Sequence, residues 1–396
     1  MPRSRRAVWR LIALLSLVLL VAAACGDDDE PSAGGTTTAP PAEETYKLAF
    51  VGPLTGDAAN LGINIRNGAK LAAQQAEGVT IELVEFDTKA DPAQATTLKD
   101  QFINDEDIIG VVGPAFSGET KAVLQSLEEA GLVMVSASAT AADIPSTVAG
   151  SKVFHRLVPD DDVQGKSAGD YIAKTLQAKT AAYIHDNTDY GKPLAEGTQK
   201  VWEQSGVQTA GSEAIDPKSE DFSAAVNSMN ALNPDVIYYG GYYSEAGKLK
   251  KQLTDGGVDA TFVSGDGALD LGFIEAGGEG ANGAQLSCAC NLATEDSPGA
   301  LGEFATAYKA ANDGKEPGTY SSEGFDAANI LIEGIKAGND TREKLLEHVE
   351  GLTAYEGISK TISFEENGNV QGTDVFFFEV KEGKIELLGS TADLIE

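Results

Sequence analysis

From Tyr46 onward, short apolar runs rich in β-branched residues alternate with longer stretches whose apolar positions recur at helical spacing. Residues 47–51 precede an amphipathic segment at 61–76, 80–86 precede 92–104, 108–112 precede 119–130, and 132–135 close the series. Strand and helix in alternation predict βαβ units and a parallel sheet. The pattern then restarts, with strands expected at 181–184, 207–215, 236–239 and 261–263, and helices between them at 192–204, 222–232 and 244–254. The last third reads as helices at 301–311, 324–337 and 341–348, followed by strands at 361–364, 375–380 and 384–388. The final two strands face each other across Lys381-Glu382-Gly383 as a hairpin. About 350 patterned residues exceed one comfortable sheet, so an α/β chain of two lobes is expected. Ligands of open α/β sheets bind beyond the carboxyl ends of the strands, which places the functional residues in strand-end loops facing an interlobe cleft.

The chain opens with Arg3, Arg5, Arg6 and Arg10 ahead of an uncharged apolar stretch from Leu11 to Ala24. That stretch is too short for a membrane span, and with its basic flank it predicts a signal peptide over residues 1–24. Ala22-Ala23-Ala24-Cys25 resembles a bacterial lipobox, with lipid attachment at Cys25; simple cleavage after an Ala-x-Ala site is the alternative. Residues 25–45 carry no apolar periodicity and predict a disordered, lipid-anchored tether. Removing residues 1–24, with four Arg and no acid, takes the formal charge from −32 to −36. Such a field disfavours nucleic acid and anionic lipid as partners. The other two of the three cysteines form Cys288-Ala289-Cys290. A disulfide, free thiols and a metal site all remain open for that pair.

The strand-end loops carry the candidate chemistry. Gly52-Pro53-Leu54-Thr55-Gly56 lacks the G-x-G-x-x-G spacing and no P-loop motif occurs, so this loop gives nucleotide binding no support. Gly113-Pro114-Ala115-Phe116-Ser117-Gly118-Glu119-Thr120 brings a hydroxyl to the start of a helix, where unpaired N–H groups attract an anion; Ser117 is expected as N-cap with Thr120 at N3. Ser136-Ala137-Ser138-Ala139-Thr140 is small and hydroxyl-rich. On the second lobe, Tyr190 follows one strand, Tyr238-Tyr239-Gly240-Gly241-Tyr242-Tyr243 ends another, and Asp266 sits between glycines after a third. Hydroxyls and helix N-termini opposite a carboxylate with tyrosines complement a zwitterion.

These loops resemble those of the Leu/Ile/Val-binding proteins, the substrate-binding components of branched-chain amino acid ABC transporters. Ile184-His185-Asp186 with Tyr190-Gly191, Asp221-Phe222-Ser223 and Val236–Tyr243 carry the resemblance most specifically, and it covers residues 46–396. It implies a type I periplasmic-binding fold with three crossover strands at a hinge. The N-terminal lobe would take residues 46–160 and 291–371, and the C-terminal lobe 161–290 and 372–396. It also implies that Ser117 and Thr140 hold a ligand α-carboxylate, that the Ser138 carbonyl and Asp266 take the α-ammonium, and that Tyr242 closes over the ligand. Leu61, Ala115, Phe116, Tyr190 and Tyr320 would complete the pocket. Asp266 stands where the best-known members have Glu, Leu61 where they have an aromatic, and Phe116 where enteric members have a disulfide-bonded Cys.

The expected function is therefore binding without chemistry: a monomer, without cofactor or metal, that captures an amino acid, with Leu, Ile or Val as the best guess. It would deliver the ligand to permease subunits from the outer face of the bacterial cell membrane. Short amides, urea and aromatic acids are the alternative ligands on the same fold, and a ligand sensor feeding a separate receptor is the alternative role.

Overall fold

The computed structural model describes residues 44–395; the expected signal peptide, the lipid site at Cys25 and nearly all of the tether lie outside them. The first sheet contains β1 (Thr45–Gly52), β2 (Thr80–Asp87), β3 (Ile108–Val112), β4 (Met134–Ser136) and β5 (Phe154–Arg156). Its order is β2-β1-β3-β4-β5, with every pairing parallel. The strands are linked by α1 (Ala59–Gln75), α2 (Pro92–Ile103), α3 (Ser117–Glu129) and the short α4 (Ile144–Thr147). Both sheet faces are covered, which is why β3 reads as the uninterrupted apolar run IIGVV. Successive residues of β1 divide between two cores: Leu48 and Phe50 join the cluster containing Ile65 and Leu331, whereas Ala49 and Val51 join the one containing Phe102 and Leu124.

The chain then enters the second half through α5 (Asp161–Asp170), which continues as one π-type turn at Tyr171–Thr175. β6 (Thr180–His185), β7 (Gln208–Ala214), β8 (Val236–Gly240), β9 (Thr261–Ser264) and β10 (Gln285–Cys288) alternate with α6 (Gly191–Gln204), α7 (Ser223–Leu232), α8 (Tyr243–Asp255) and α9 (Leu271–Gly277). Next, α10 (Ala300–Ala311), α11 (Ser321–Lys336) and α12 (Arg342–Glu350) return to the first sheet, with α11 lying along α1 and touching β3 and β4. A small separate hairpin, β11 (Tyr355–Glu356) and β12 (Thr361–Ile362), precedes β13 (Phe376–Lys381), β14 (Lys384–Ser390) and α13 (Thr391–Leu394). The second sheet runs β14-β13-β10-β9-β8-β6-β7, parallel from β10 to β7 and antiparallel at β13 and β14. The chain thus passes between sheets after β5, after β10 and before β13.

Several elements differ from the sequence pattern. β5, α5, α9 and β10 were not foreshadowed. β5 is three residues long and buries His155 and Arg156, so it offers no alternation to detect. α5 buries polar and small residues rather than an apolar stripe. A Cβ at Gly169 would stand 2.6 Å from Val201 Cβ, so α5 meets α6 through the absence of side chains. The terminal hairpin turns through Glu382 and Gly383 alone, both at positive φ, and Lys381 belongs to the ladder opposite Lys384. The expected strand at 361–364 shortens to β12 and joins β11 instead. β1 begins one residue before Tyr46, and Cys288 is joined to Cys290 by a disulfide where the chain leaves the second sheet.

Candidate functional site

Four long helices begin at one small cavity, and an aromatic residue occupies the N-cap of each: Phe116 for α3, Tyr190 for α6, Tyr242 for α8 and Tyr320 for α11. These rings cannot accept a hydrogen bond as the usual Ser, Thr, Asp or Asn caps do. The helix starts are satisfied otherwise. Glu119 Oε2 accepts from the Phe116 N–H at 3.1 Å, Glu245 Oε1 from the Tyr242 N–H at 2.7 Å, and Thr188 Oγ1 from the Gly191 N–H at 2.9 Å. The expected Ser117 cap is corrected accordingly: Ser117 is the first residue of α3, the position three beyond the cap is Glu119, and Thr120 follows it. The rings then meet across the cleft. Phe116 stacks on Tyr242 with centroids 4.5 Å apart and planes 21° apart, and Tyr190 lies 5.2 Å from Tyr242.

Leu61, Phe116, Ser117, Ser138, Tyr190, Tyr242, Asp266, Gly267 and Tyr320 enclose this cavity, whose volume is about 10 Å³, close to the room needed by one water molecule. Eight of the ten expected ligand-site residues therefore converge. Ala115 and Thr140 do not line it and sit directly behind: the Ala115 carbonyl accepts from Ser138 Oγ at 2.6 Å, and the Thr140 carbonyl from the Asp161 N–H at 2.9 Å. Ser117 Oγ accepts from the Ala141 N–H at 3.1 Å, which leaves the hydroxyl proton to donate into the cavity.

Asp266, 3% exposed, is the only acid among the lining residues. Its Oδ1 accepts from Tyr190 Oη at 2.8 Å and from Gln164 Nε2 at 2.5 Å, and its Oδ2 from Tyr320 Oη. Burial raises its pKa against the lowering effect of the Tyr320, Gln164 and Tyr190 bonds. Burial, followed by the Asp266 charge, holds the Tyr190 and Tyr320 phenols well above their ordinary range, so both remain donors. The cavity thus presents a hydroxyl donor and helix N-termini from one half of the molecule, and a carboxylate ringed by tyrosines from the other. No group of three His, Cys, Asp or Glu among the described residues is placed to hold a metal ion.

The Tyr238–Tyr243 stretch divides by position. Tyr238 and Tyr239 are both fully buried and fall in different core clusters, on opposite faces of β8. Gly240 still belongs to β8; a Cβ there would collide with the Gly191 carbonyl, so this approach fixes the start of α6 and with it Tyr190. Tyr242 reaches the cavity, and Tyr243 begins α8, its hydroxyl accepting from the Asn60 N–H at 3.1 Å. Sequence pattern missed Gln164, Asp161, the capping glutamates Glu119 and Glu245, and the clasp in which Asn60 Nδ2 donates to Asp270 Oδ1 at 2.7 Å. Only the glutamates had a visible signal, as each lies three residues after an aromatic strand-end position.

Two α/β sheets joined by three crossings, with a closed cavity between their strand ends, form the architecture of two-lobed ligand-binding proteins. The model of the periplasmic binding protein family matches residues 45–384, and the chain belongs to that family. Among its relatives, the leucine-, isoleucine-, valine-, threonine- and alanine-binding protein of Pseudomonas aeruginosa is 30% identical over 85% of this chain and 90% of its own. A crystal structure of a leucine-binding protein from Thermotoga maritima superposes with a TM-score of 0.80 at 28% identity, covering 87% of this chain and 98% of that one. The branched-chain amino acid transporter substrate-binding protein of Streptococcus pneumoniae, solved in complex with isoleucine, gives 0.78 at 27% identity, covering 87% and 99%. No described helix is long and apolar enough to cross a membrane.

Proposed function

We propose that the protein is the extracytoplasmic substrate-binding component of an ABC importer, and that it binds a branched-chain amino acid between its lobes and passes it to a membrane permease without chemical change. The observation that carries this reading is the polarity of the cavity: Ser117 at the α3 N-terminus suits a carboxylate, and Asp266 under Tyr190 and Tyr320 suits an ammonium. Ser138 supplies a backbone carbonyl to the same ammonium, and Thr140 a backbone donor to the carboxylate. Leu61, Phe116 and Tyr242 offer apolar walls to a side chain. The cavity is too small for an amino acid in this closed arrangement, so the lobes part to admit it. The Tyr320 hydroxyl on Asp266 then occupies the place of the ammonium, and the Phe116–Tyr242 stack closes the space of the side chain. Cys25 would carry the lipid that keeps the protein at the membrane.

A thermal-shift panel tests the ligand. Leu, Ile or Val at a hundredfold excess over Kd is expected to stabilise the fold by about 2.7 kcal/mol, while urea, acetamide and benzoate leave the melting temperature unchanged; a shift by an amide alone would reassign the ligand within the same fold. Closure has its own test. Asn60 on α1 bonds to Tyr243 and Asp270 from the other half of the molecule, and losing its side-chain bond removes about 1 kcal/mol. Asn60→Ala is expected to weaken leucine binding roughly fivefold through faster release, seen as an increased off-rate in surface plasmon resonance with little change in on-rate.

A further inference from the structure

Asp161, the first residue of α5, is 5% exposed and lies one layer behind the cavity. Its Oδ1 accepts from Gln164 Nε2 at 3.3 Å, and the same nitrogen donates to Asp266 Oδ1 at 2.5 Å. The amide orientation is fixed from its other end, because Gln164 Oε1 accepts from the Asp266 N–H at 3.1 Å and from Ser287 Oγ at 3.4 Å. Held on one nitrogen, the two carboxylate oxygens lie within about 6 Å of each other, a range over which like charges resist joint ionisation. Asp161 Oδ2 is buried without a well-formed hydrogen bond.

We propose that Asp161 is a positioning residue for the Asp266 ammonium site: joined through Gln164, the two buried carboxylates share one proton in the unliganded protein and release it when a ligand's ammonium settles beside Asp266. The inference rests on the amino-acid reading above. The groups facing the pair explain why a proton is needed. Arg156 on β5 is a cation that acts on Asp161, but its guanidinium is already bonded to the carbonyls of Ala139 and Ala141, to Asn369 and to Asp160. Tyr190 ahead of α6, Tyr238 on β8, Tyr242 ahead of α8 and Tyr320 ahead of α11 are neutral, and the chain neighbours Asp160 and Asp162 bring no cation to the pair. Among the described residues neither acid forms an ion pair. Burial, and for Asp161 the neighbouring Asp266, push both carboxyls upward. An ammonium supplies the missing positive charge, both acids ionise, and the proton leaves to solvent.

The test combines leucine titration calorimetry with melting curves of the unliganded full chain, for wild type and Asp161→Asn, between about pH 5.5 and pH 8. Wild-type affinity is expected to rise with pH by up to about tenfold per unit below the apparent pKa of the pair, with proton release seen in buffers of different ionisation enthalpy. Asp161→Asn should flatten that rise to under about threefold and lower the high-pH affinity a few-fold, because the ammonium then meets one carboxylate charge instead of two. Without ligand, the wild-type native state holds a proton that the unfolded chain gives up, so its stability falls as pH rises. Asp161→Asn is therefore expected to melt above wild type at the upper end of the range and to converge with it at the lower end. Parallel unliganded profiles overturn the shared proton whatever leucine does. Converging profiles with no leucine binding support the shared proton and overturn the amino-acid reading instead.

Discussion

Asp266→Asn is expected to abolish amino-acid binding while leaving the fold at least as stable as the wild type. The carboxylate is the only negative charge among the residues lining the cavity. An ammonium closed into the cleft beside an amide would lose a charge-assisted hydrogen bond and remain buried without a counter-charge, costing about 3 kcal/mol or more. That corresponds to at least a hundredfold increase in Kd. The folded state responds in the opposite direction. Asp266 is a buried acid whose pKa burial has raised, so at neutral pH the native protein carries the cost of ionising it or of keeping it protonated. Asn has the same shape, its oxygen can still accept from Tyr190 and Gln164, and its amide can donate to the Tyr320 hydroxyl. Calorimetric titration with leucine and a melting curve of the free protein measure the two effects separately. Leucine binding within threefold of wild type would remove Asp266 from the ammonium site, and a large fall in melting temperature would show that its charge serves the fold. Loss of binding with retained stability is the signature of a functional group maintained against the preference of the core.

How much of this was legible in the sequence depends on which signal each residue leaves. The βαβ alternation showed both sheets because their central strands, such as β3 and β8, are buried runs bounded by turns. The strand-end rule then directed attention to Ser117, Tyr190, Tyr242 and Asp266, all of which reach the cavity. The connections between sheets were less visible. α5 has no apolar stripe because it packs through Gly165, Ala168 and Gly169, so the pattern signals neither the helix nor its residues Asp161 and Gln164. Gln164 holds the Asp266 carboxylate from behind and is itself bonded to Asp161, so the missed helix concealed the back of the site. Ser117 was misplaced by one position for a related reason. A hydroxyl at a helix start reads as its cap, but here an aromatic residue takes the cap and a glutamate satisfies its amide.

That exchange has a consequence for stability. Glu119 and Glu245 occupy matching positions on opposite sides of the cleft, each beneath one ring of the Phe116–Tyr242 stack. Glu119 also accepts from Thr88 Oγ1 at 2.5 Å, and Glu245 from Tyr239 Oη at 3.1 Å. Burial pushes Glu119 up to about 7 and Glu245 up to about 8. Both ordinarily titrate near 4.5. Between that value and about 8, the native state keeps protons that the unfolded chain has released, so rising pH removes stability across this window and the loss levels off above it. Gln is neutral at every pH and retains an oxygen for the helix amide. Glu245→Gln is therefore expected to match wild type near pH 5 and to exceed it by about 2–4 kcal/mol near pH 8.5, a gain of a few degrees in melting temperature for a chain of this size. Glu119→Gln should show a smaller gain that saturates about one pH unit earlier. The alanine variants separate charge from capping: Glu245→Ala leaves the Tyr242 N–H unpaired and loses about 1–3 kcal/mol even at pH 5, and it frees the Tyr242 ring, so leucine affinity falls with it. Equal pH profiles for wild type and Glu245→Gln would mean that the carboxylate is solvated through motion of the Tyr242 cap, and the cleft would then breathe at that edge rather than at the hinge.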